Sequence, residues 1–389
     1  MIKTHQIKIN PNKTMLNHIH DLFNYRRYIW NQSLGLWNDR YDLSIAMDDK
    51  TLRPSERVVR DELVHNKQDW QYNLSSRVLQ QTVNQLTKAW SNYFNPKMMN
   101  HNKPKFKSKK NYKPTFTTDC ARVIDGKLFL DKPQTISKNN WFGVKLLEPV
   151  RFKGDLKQVT ITEKADGLYA SLVIDTTHNS IEPLTDNVCG VDVNVKRFNY
   201  TDGVVDVVPD KLISSYNKIT YYQKMLARKR MDNPRNFRTE RYTKVKTKLR
   251  REYQKVSNIQ MDILHKFTHM LITNYNEIHI EDLNVSSMQV SKKMGKNLHR
   301  SMFGKFSEVI KYKSMWNDRK FVLVNRFYPS TQICSGCGYR KTKDSYGGKM
   351  TLSGDSIYHQ HQTYRCYECG SVMDRDENAV KNIINYGLA

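Results

Sequence analysis

Two Cys-x-x-Cys pairs near the end of the chain place the strictest geometric limit on its fold. Cys334 and Cys337 form the first pair, and Cys366 and Cys369 form the second. Four thiolates held in two tight turns match the tetrahedral ligand set that Zn²⁺ takes in structural sites. Glycines adjoin both pairs, and glycine tolerates the backbone angles that such turns need. The spacing therefore predicts one structural Zn²⁺ per chain.

Other interpretations of the cysteines remain open on the sequence alone. The 28 residues between the pairs exceed the roughly 15 to 20 of the common zinc pattern, which predicts a long loop. His359 and His361 lie in that loop as alternative ligands, although four cysteines already fill the shell. Disulfide bonds are disfavoured because no signal-peptide pattern is present. Cys120 and Cys189 are expected to be isolated thiols in buried strands.

The charge balance indicates a polyanionic partner. Lys and Arg number 64 against 38 Asp and Glu, which gives a formal net charge of +26. Such an excess favours nucleic acid as the partner. No run of about 18 apolar residues occurs, so no membrane span is expected. We expect a cytoplasmic protein that associates with the nucleoid.

The N-terminal half combines a β domain with helices. Residues 2–9 alternate as a strand does, and two long amphipathic helical patterns with aromatic stripes follow. From residue 115 the period changes to two, with Asp166-Gly167 as a hairpin turn. The pattern predicts a β-barrel from residues 1–10 and 115–182, with residues 11–114 inserted as a helical domain.

Two strongly basic segments are candidates for contact with phosphates. Residues 103–110 contain five lysines, and residues 218–255 contain fourteen Lys or Arg against three acids. A solvated linker and the solvated faces of a helical hairpin are the respective alternatives. The candidate contacts are Lys103, Lys105, Lys107, Lys109, Lys110, Arg228, Lys229, Arg230, Arg250 and Arg251.

Three acids occur where an α/β sheet would bring them together. Asp192 interrupts a β-branched run, Glu281 ends a second apolar strand, and Asp376 lies near the start of the last helix, with Asp374 as a close rival. The predicted order, three strands and then alternating helices and strands, is ribonuclease H-like. Convergent carboxylates of this kind can hold two Mg²⁺ for phosphodiester hydrolysis. Singly, each acid could instead form an ion pair, end a strand or cap a helix.

Four segments resemble those of the TnpB family, the transposon-encoded RNA-guided nucleases related to compact type V CRISPR effectors. They are GVDVNVKRF at 190–198, IEDLN at 280–284, RFYPSTQICSGC at 326–337 and DRDENA at 374–379. The resemblance covers most of the chain. It implies an α/β multidomain protein with a wedge-like barrel (1–10 and 115–182) and a helical recognition domain (11–114). It further implies a RuvC-like nuclease (183–326 and 373–389) interrupted by a zinc-ribbon insert that binds target nucleic acid (327–372).

The resemblance also assigns roles. Asp192, Glu281 and Asp376 would be the catalytic acids that bind Mg²⁺, Asn378 would lie close behind them, and Asn194 stands where the family usually has Gly. The implied partners are a guide RNA, a double-stranded DNA target and a separate transposase encoded by the same element. A nuclease-silent RNA-guided repressor, a compact type V CRISPR effector and a strand-joining transposase are the alternatives. The guide sequence, the flanking motif and the oligomeric state are not encoded in any readable pattern.

Overall fold

Alternating apolar and polar residues form the first strand, β1 (Ile2–Asn10), whose odd-numbered side chains from Lys3 to Ile9 are buried. The structure is a computed structural model that describes residues 1–98, 101–110, 112–178, 180–283, 302–342 and 360–388. The chain divides into two compact units, Met1–Thr177 and His178–Ala389. None of the helices in the described ranges combines the length and apolar character needed to cross a bilayer.

Unit 1 contains a seven-stranded antiparallel sheet that nearly closes into a barrel. Its order is β2-β6-β7-β1-β5-β4-β3, and terminal strand β3 returns to contact β6. The predicted barrel is therefore present, and β1 belongs to it. The further strands are β2 (Thr115–Thr118), β3 (Ala121–Ile124), β4 (Lys127–Leu130), β5 (Val144–Leu146), β6 (Asp155–Lys164) and β7 (Gly167–Asp175).

Three helices are inserted between β1 and β2. They are α1 (Lys13–Ala46), α2 (Glu56–His65) and α3 (Ser76–Phe94). Asn12 caps α1, since its side chain accepts a hydrogen bond from the Met15 amide at 2.9 Å. The aromatic stripes of α1 and α3 meet in the core, where the Trp37 and Trp90 rings stack with centroids 6.1 Å apart. These stripes therefore serve packing rather than ligand binding.

Unit 2 is built on a five-stranded mixed sheet. Its order is β10-β9-β8-β11-β12, with β8 antiparallel to β9 and parallel to β11, and β11 parallel to β12. The elements follow the order predicted from the sequence pattern. They are β8 (Val188–Val193), β9 (Arg197–Tyr200), β10 (Gly203–Asp206), α4 (Asp210–Asp232), α5 (Glu240–Asn274), β11 (Glu277–Glu281), α6 (Phe303–Trp316), β12 (Lys320–Val324) and α7 (Arg375–Leu388).

A short ribbon completes unit 2 between β12 and α7. Its two strands, β13 (Thr363–Arg365) and β14 (Val372–Asp374), pair in antiparallel fashion and lead directly into α7. Helix α7 packs against β8, β11 and β12, so the ribbon and the central sheet share one helix.

The two isolated thiols have different environments. Cys189 is buried in β8 as expected. The expectation was wrong for Cys120, which is exposed because it lies in the turn between β2 and β3, where its amide donates to the Thr118 hydroxyl at 3.1 Å.

Candidate metal centres

Parallel strands bring the first two acids to one edge of the central sheet. In the β8–β11 pair, Val191 lies opposite Ile280, so the next residues, Asp192 and Glu281, come side by side at the carboxyl ends of the strands. Asp192 is only 7% exposed despite its charge. A buried carboxylate needs compensating partners, which makes this edge the candidate functional site.

Helix α7 supplies the third acid from its first turn. The Asn194 side-chain amide donates to Asp192 Oδ2 at 3.0 Å and to Asp376 Oδ2 at 3.2 Å. Asn199 also donates to Asp376 Oδ2, at 3.1 Å. The Asp192 and Asp376 carboxylates therefore lie on either side of one amide nitrogen. Asn194 supports the acids by hydrogen bonding and does not displace them.

Asn199 was not among the site residues predicted from the sequence. It lies opposite Asp192 in the β8–β9 pair, so the predicted hairpin carried a signal for it. Placing Asn199 opposite Asp192 requires the pairing register of the two strands, and the residue pattern alone leaves that register uncertain by one position.

The electrostatics of the edge disfavour its negative charges. Burial, and after it the nearby charges of Glu281 and Asp376, raises the pKa of Asp192 to about 7 against the opposing effects of Arg375 and Asn194. Burial also raises the pKa of Glu281, although a hydrogen bond from the Ser330 hydroxyl at 2.5 Å opposes this. Carboxylates crowded in this way favour a bound cation. The edge is thus chemically suited to hold metal.

The two rival acids at the start of α7 have different contacts. Asp374 Oδ1 accepts hydrogen bonds from the Asp376 amide at 2.9 Å and the Glu377 amide at 3.2 Å, so it caps the helix. Asp376 instead faces Asn194 and Asn199, and its other oxygen accepts from Arg375 at 3.0 Å. The geometry therefore brings Asp376, rather than Asp374, to Asp192.

Glycine at position 190 permits the close approach of α7 to β8. A Cβ atom there would lie 2.6 Å from the Val380 carbonyl oxygen and 2.9 Å from Ile384 Cγ1. Such contacts are too short for any side chain, so helix and strand could not pack this closely. Gly190 thereby fixes the separation between the strand that carries Asp192 and the helix that carries Asp376.

Asn378 makes its side-chain hydrogen bonds beside the first cysteine pair rather than to the acids. Its side chain accepts a hydrogen bond from the Ser335 amide at 2.9 Å and donates to the Ile333 carbonyl at 2.7 Å. Asn382, one turn later, donates to the carbonyls of Ser330 and Ile333, each at 2.7 Å. Both side chains point to the segment before and within the first cysteine pair, so Asn378 fastens α7 to that segment and does not touch the acids.

The four paired cysteines form a compact cluster. Their sulfur atoms all lie within 4.8 Å of one another, and in the described ranges no other group of three or more His, Cys, Asp or Glu ligand atoms is this compact. Cys334 and Cys369 Sγ are 3.7 Å apart, and Cys337 and Cys366 Sγ are 3.6 Å apart. A tetrahedron with Zn–S bonds of about 2.3 Å has edges of about 3.8 Å.

The backbone around the cysteines supports the same interpretation. Gly338 (φ 76°) and Gly370 (φ 75°) adopt the left-handed conformation, and their amides donate to the carbonyls of Cys334 and Cys366. These sulfurs are too far apart for disulfide bonds, which need about 2.05 Å. His361 is exposed, and His359 lies outside the described residues. The four cysteines therefore fit a zinc ion without a histidine ligand.

The basic segment 103–110 is anchored to helix α1. The Trp30 indole donates to the Lys105 carbonyl at 3.0 Å, and Asn31 bonds both the amide and the carbonyl of Lys107, at 2.8 and 3.0 Å. The alternative of a free solvated linker is therefore wrong for this part of the chain.

The lysines of this segment differ in exposure. Lys107 Nζ lies 3.1 Å from the centroid of the Trp30 ring, and burial lowers the pKa of Lys107 to about 7. Lys103 is exposed, with its Nζ 5.4 Å from the Trp90 ring. Lys105, Lys109 and Lys110 are exposed. Lys107 is thus poorly placed for phosphate, because its side chain packs on the protein.

The candidate basic residues of the α4–α5 hairpin also differ in exposure and in their contacts with the protein. Arg228, Arg250 and Arg251 are exposed, and Lys229 is half-buried. Arg230 donates two hydrogen bonds to the Tyr242 hydroxyl, at 3.2 and 2.9 Å, and so joins the end of α4 to the start of α5. The guanidinium of Arg230 therefore has a structural contact that the sequence analysis did not anticipate.

Two parts of the chain match family models. Residues 171–292 match the family described as probable transposase, and residues 303–383 match the Cas12f1-like TNB domain. The second range contains the cysteine cluster and most of α7. Both matches agree with the family resemblance drawn from the sequence.

Curated relatives extend the similarity over most of the chain. A Streptomyces pristinaespiralis protein named as an RNA-guided DNA endonuclease is 24% identical, over 81% of this chain and 72% of that protein. An Escherichia coli K12 protein with the same name is 25% identical, over 82% and 76%. A TnpB-like protein of Acanthamoeba polyphaga mimivirus is 26% identical, and the chain spans 55% of its length.

A solved structure shares the fold. The Cas12f1 chain in the cryo-EM structure of a Cas12f1-sgRNA-target DNA complex aligns with a TM-score of 0.53 and 12% identity, over 99% of both chains. At this identity the match concerns architecture alone.

Proposed function

Because this chain belongs to the TnpB family, we propose that it is an RNA-guided DNA endonuclease. It would cut DNA that is complementary to a guide RNA and lies beside a short flanking motif. The names of the curated relatives support this activity. The observation that carries the proposal is the convergence of Asp192 and Asp376 on one asparagine amide, with Glu281 beside them on the neighbouring strand.

We propose that Asp192, Glu281 and Asp376 are the catalytic acids and hold two Mg²⁺. Bound Mg²⁺ would activate water and stabilise the departing 3′ oxygen. The surrounding residues orient these ligands: Asn194 and Asn199 hold Asp376, and the Ser330 hydroxyl holds Glu281.

The domain roles follow from the same proposal. The barrel strands and the segment to residue 182 would form a wedge-like domain, and residues 11–114 would form the recognition domain. Residues 183–326 and 373–389 would form a RuvC-like nuclease, which the mixed five-stranded sheet and the acids at its edge support. The ribbon of residues 327–372 would hold one structural Zn²⁺ through its four cysteines and bind the target strand.

The partners in this proposal are a guide RNA and double-stranded DNA. Base pairing with the guide would select the target, while the protein would recognise backbone shape and the flanking motif. Exposed basic side chains such as Lys105, Lys109, Arg228, Arg250 and Arg251 would contact phosphates. A separate transposase of the same element would carry out strand joining.

The decisive experiment combines RNA identification with a cleavage assay. The protein is expressed with its native flanking DNA, the copurified RNA is sequenced, and its 3′ segment is retargeted to a plasmid in Mg²⁺. A discrete RNA that directs cutting supports the proposal. An RNA that directs binding without cutting would instead identify a repressor, and a CRISPR-array origin of that RNA would identify a type V effector.

Matched variants test the roles of the acids in the same assay. Asp376→Ala should abolish cleavage, because that residue would bind metal, and should leave guide-RNA affinity within about twofold. Asp374→Ala removes only a helix cap worth about 1 kcal/mol and should retain measurable cleavage. The reverse order of activities would exchange the roles of the two residues.

A further inference from the structure

Phe327 is more exposed than any other large apolar side chain in the described ranges, at 85%. The turn that presents it is closed by two hydrogen bonds. Asn325 Oδ1 accepts from the Phe327 amide at 2.9 Å, and the Tyr328 amide donates to the Asn325 carbonyl at 2.8 Å. A phenylalanine this exposed on a hydrogen-bonded turn packs little of its ring against the fold, so the face of the ring is available to a ligand.

The turn is fastened to the acid edge on both sides of Phe327. Before it, the Arg326 guanidinium donates twice to Asp282 Oδ2, at 3.1 and 2.5 Å. After it, the Ser330 hydroxyl donates to Glu281 Oε1. Asp282 and Glu281 are adjacent at the end of β11, so the aromatic ring is held between two contacts to the strand end that carries a proposed catalytic acid.

The strand register places the ring close to that acid. Val324, the last residue of β12, lies opposite Glu281, and its carbonyl accepts from the Asp282 amide at 3.1 Å. Phe327 follows three residues later. Even a fully extended chain would separate Phe327 from Val324 by only about 10 Å, and paired strands lie about 5 Å apart, so the Cα atoms of Phe327 and Glu281 lie within about 15 Å of each other. A strand of DNA held at the acid edge could therefore bring one of its bases to the ring.

We propose that Phe327 is a substrate-positioning residue that stacks on an unpaired base of the DNA strand entering the acid edge. This inference rests on the proposed function. Every base offers an aromatic face to a ring of this kind without regard to sequence. An unpaired base is the fitting occupant, because bases within a duplex already stack on their neighbours. The net charge of +26 favours a nucleic acid over an apolar protein partner.

Cleavage kinetics test the energetic part of this proposal. Phe327→Ala should slow single-turnover cleavage about 10- to 100-fold, whereas Phe327→Trp should remain within about threefold of the wild type. Guide-RNA affinity should not change in either variant. Leu184, which is 72% exposed in unit 2, supplies the control, and Leu184→Ala should cut at the wild-type rate. Equal rates for Phe327→Ala and the wild type would overturn the inference.

A crosslinking readout separates this inference from the nuclease activity. Protein with Asp192→Ala, with its copurified RNA, is irradiated with single-stranded DNA that carries 5-iodouracil at successive positions. The crosslinked peptide should contain Phe327, and the added change Phe327→Leu should remove it. Crosslinks confined to other residues would refute stacking. Wild-type protein that forms this crosslink but never cuts would refute the endonuclease proposal alone.

Discussion

Asp192 is a carboxylate that the fold removes from water and surrounds with other acids. Burial and the neighbouring Glu281 and Asp376 raise its pKa from 3.8 to about 7. Without metal, the Asp192 carboxyl is therefore still protonated in the folded state between about pH 4 and pH 7, whereas in the unfolded chain it has already lost its proton. The free energy of unfolding must then fall as the pH rises from about 4 to about 7, by at most about 4 kcal/mol.

Asp192→Asn should remove this pH dependence. In EDTA at about pH 8, the variant should be more stable than the wild type by a few kcal/mol, and the two should converge near pH 4. Mg²⁺ at about pH 8 should raise the melting temperature of the wild type and not that of the variant. Chemical denaturation across this pH range measures the effect. A stability difference that does not vary with pH would contradict the assigned environment.

Two candidate acids could be predicted at the residue scale, because Asp192 interrupts an apolar run and Glu281 ends one, whereas Asp376 was placed by its position near the start of the last helix. Asp192 lies in a buried strand, where a charge requires an explanation. The residues that hold the acids could not be predicted in the same way. Asn199 and Ser330 are ordinary polar residues in the sequence, and only strand register and chain folding bring them to Asp376 and Glu281.

At the scale of elements, the packing of α7 on β8 decides where Asp376 lies. Gly190→Ala would place a methyl group 2.6 Å from the Val380 carbonyl oxygen, so helix and strand must separate. We expect a loss of about 1 to 3 kcal/mol in stability. We also expect at least a tenfold loss of cleavage, since small displacements of catalytic groups are costly.

Gly35→Ala is the matched control for this substitution. A Cβ atom at that position in α1 meets nothing within 4 Å, so the change should stabilise the protein by about 0.5 to 1 kcal/mol through helix propensity. Thermal melting and single-turnover cleavage of both variants provide the comparison. Full activity in Gly190→Ala would show that α7 tolerates the displacement.

The basic segment on α1 contains a second matched pair. Lys107→Ala should destabilise the protein by about 1 to 2 kcal/mol, because its side chain packs on Trp30. Lys109→Ala should leave stability unchanged within about 0.5 kcal/mol. It should instead weaken RNA binding and lower the salt slope by about one. Melting curves and RNA titrations at two salt concentrations distinguish these outcomes, and identical behaviour of the two variants would refute the distinction.

The helices and strands could be predicted from the periodicity of the sequence, whereas the contacts between them could not. The alternation in β1 predicted a barrel strand, and the long helices followed from their stripes. The lysine-rich segment appeared free in the sequence, because Trp30 and Asn31 lie about 75 residues earlier and no local pattern links them to Lys105 and Lys107. Interactions between residues so distant in sequence are absent from any short window.

At the scale of the whole molecule, the cysteine cluster and the acid edge share helix α7. Asn378 and Asn382 bond the backbone around the first cysteine pair, and the first turn of the same helix carries Asp376. Loss of a metal from the cysteine cluster should therefore shift α7 and move Asp376 out of position, although no acid is chemically changed. Charge predicted a nucleic-acid partner for the whole chain, but this mechanical connection depends on three-dimensional packing.

Cys334→Ser should release the bound zinc, lower the melting temperature and reduce cleavage at least tenfold, because α7 loses its anchor. Cys120→Ser is the control, since this exposed thiol belongs to no cluster in the described ranges. Metal analysis should give about one zinc per chain in the wild type and in the control. Retained zinc together with full activity in Cys334→Ser would contradict the predicted site.

The hydrogen bond from Asn194 to Asp376 joins residues 182 positions apart. Closing a loop of this length costs conformational entropy, so the contact depends on packing that the whole of the intervening chain must permit. A nascent chain, a misfolded chain or a proteolytic fragment would possess individual acids but no assembled centre. The candidate metal centre therefore exists only once strand β8 and helix α7 have packed against each other.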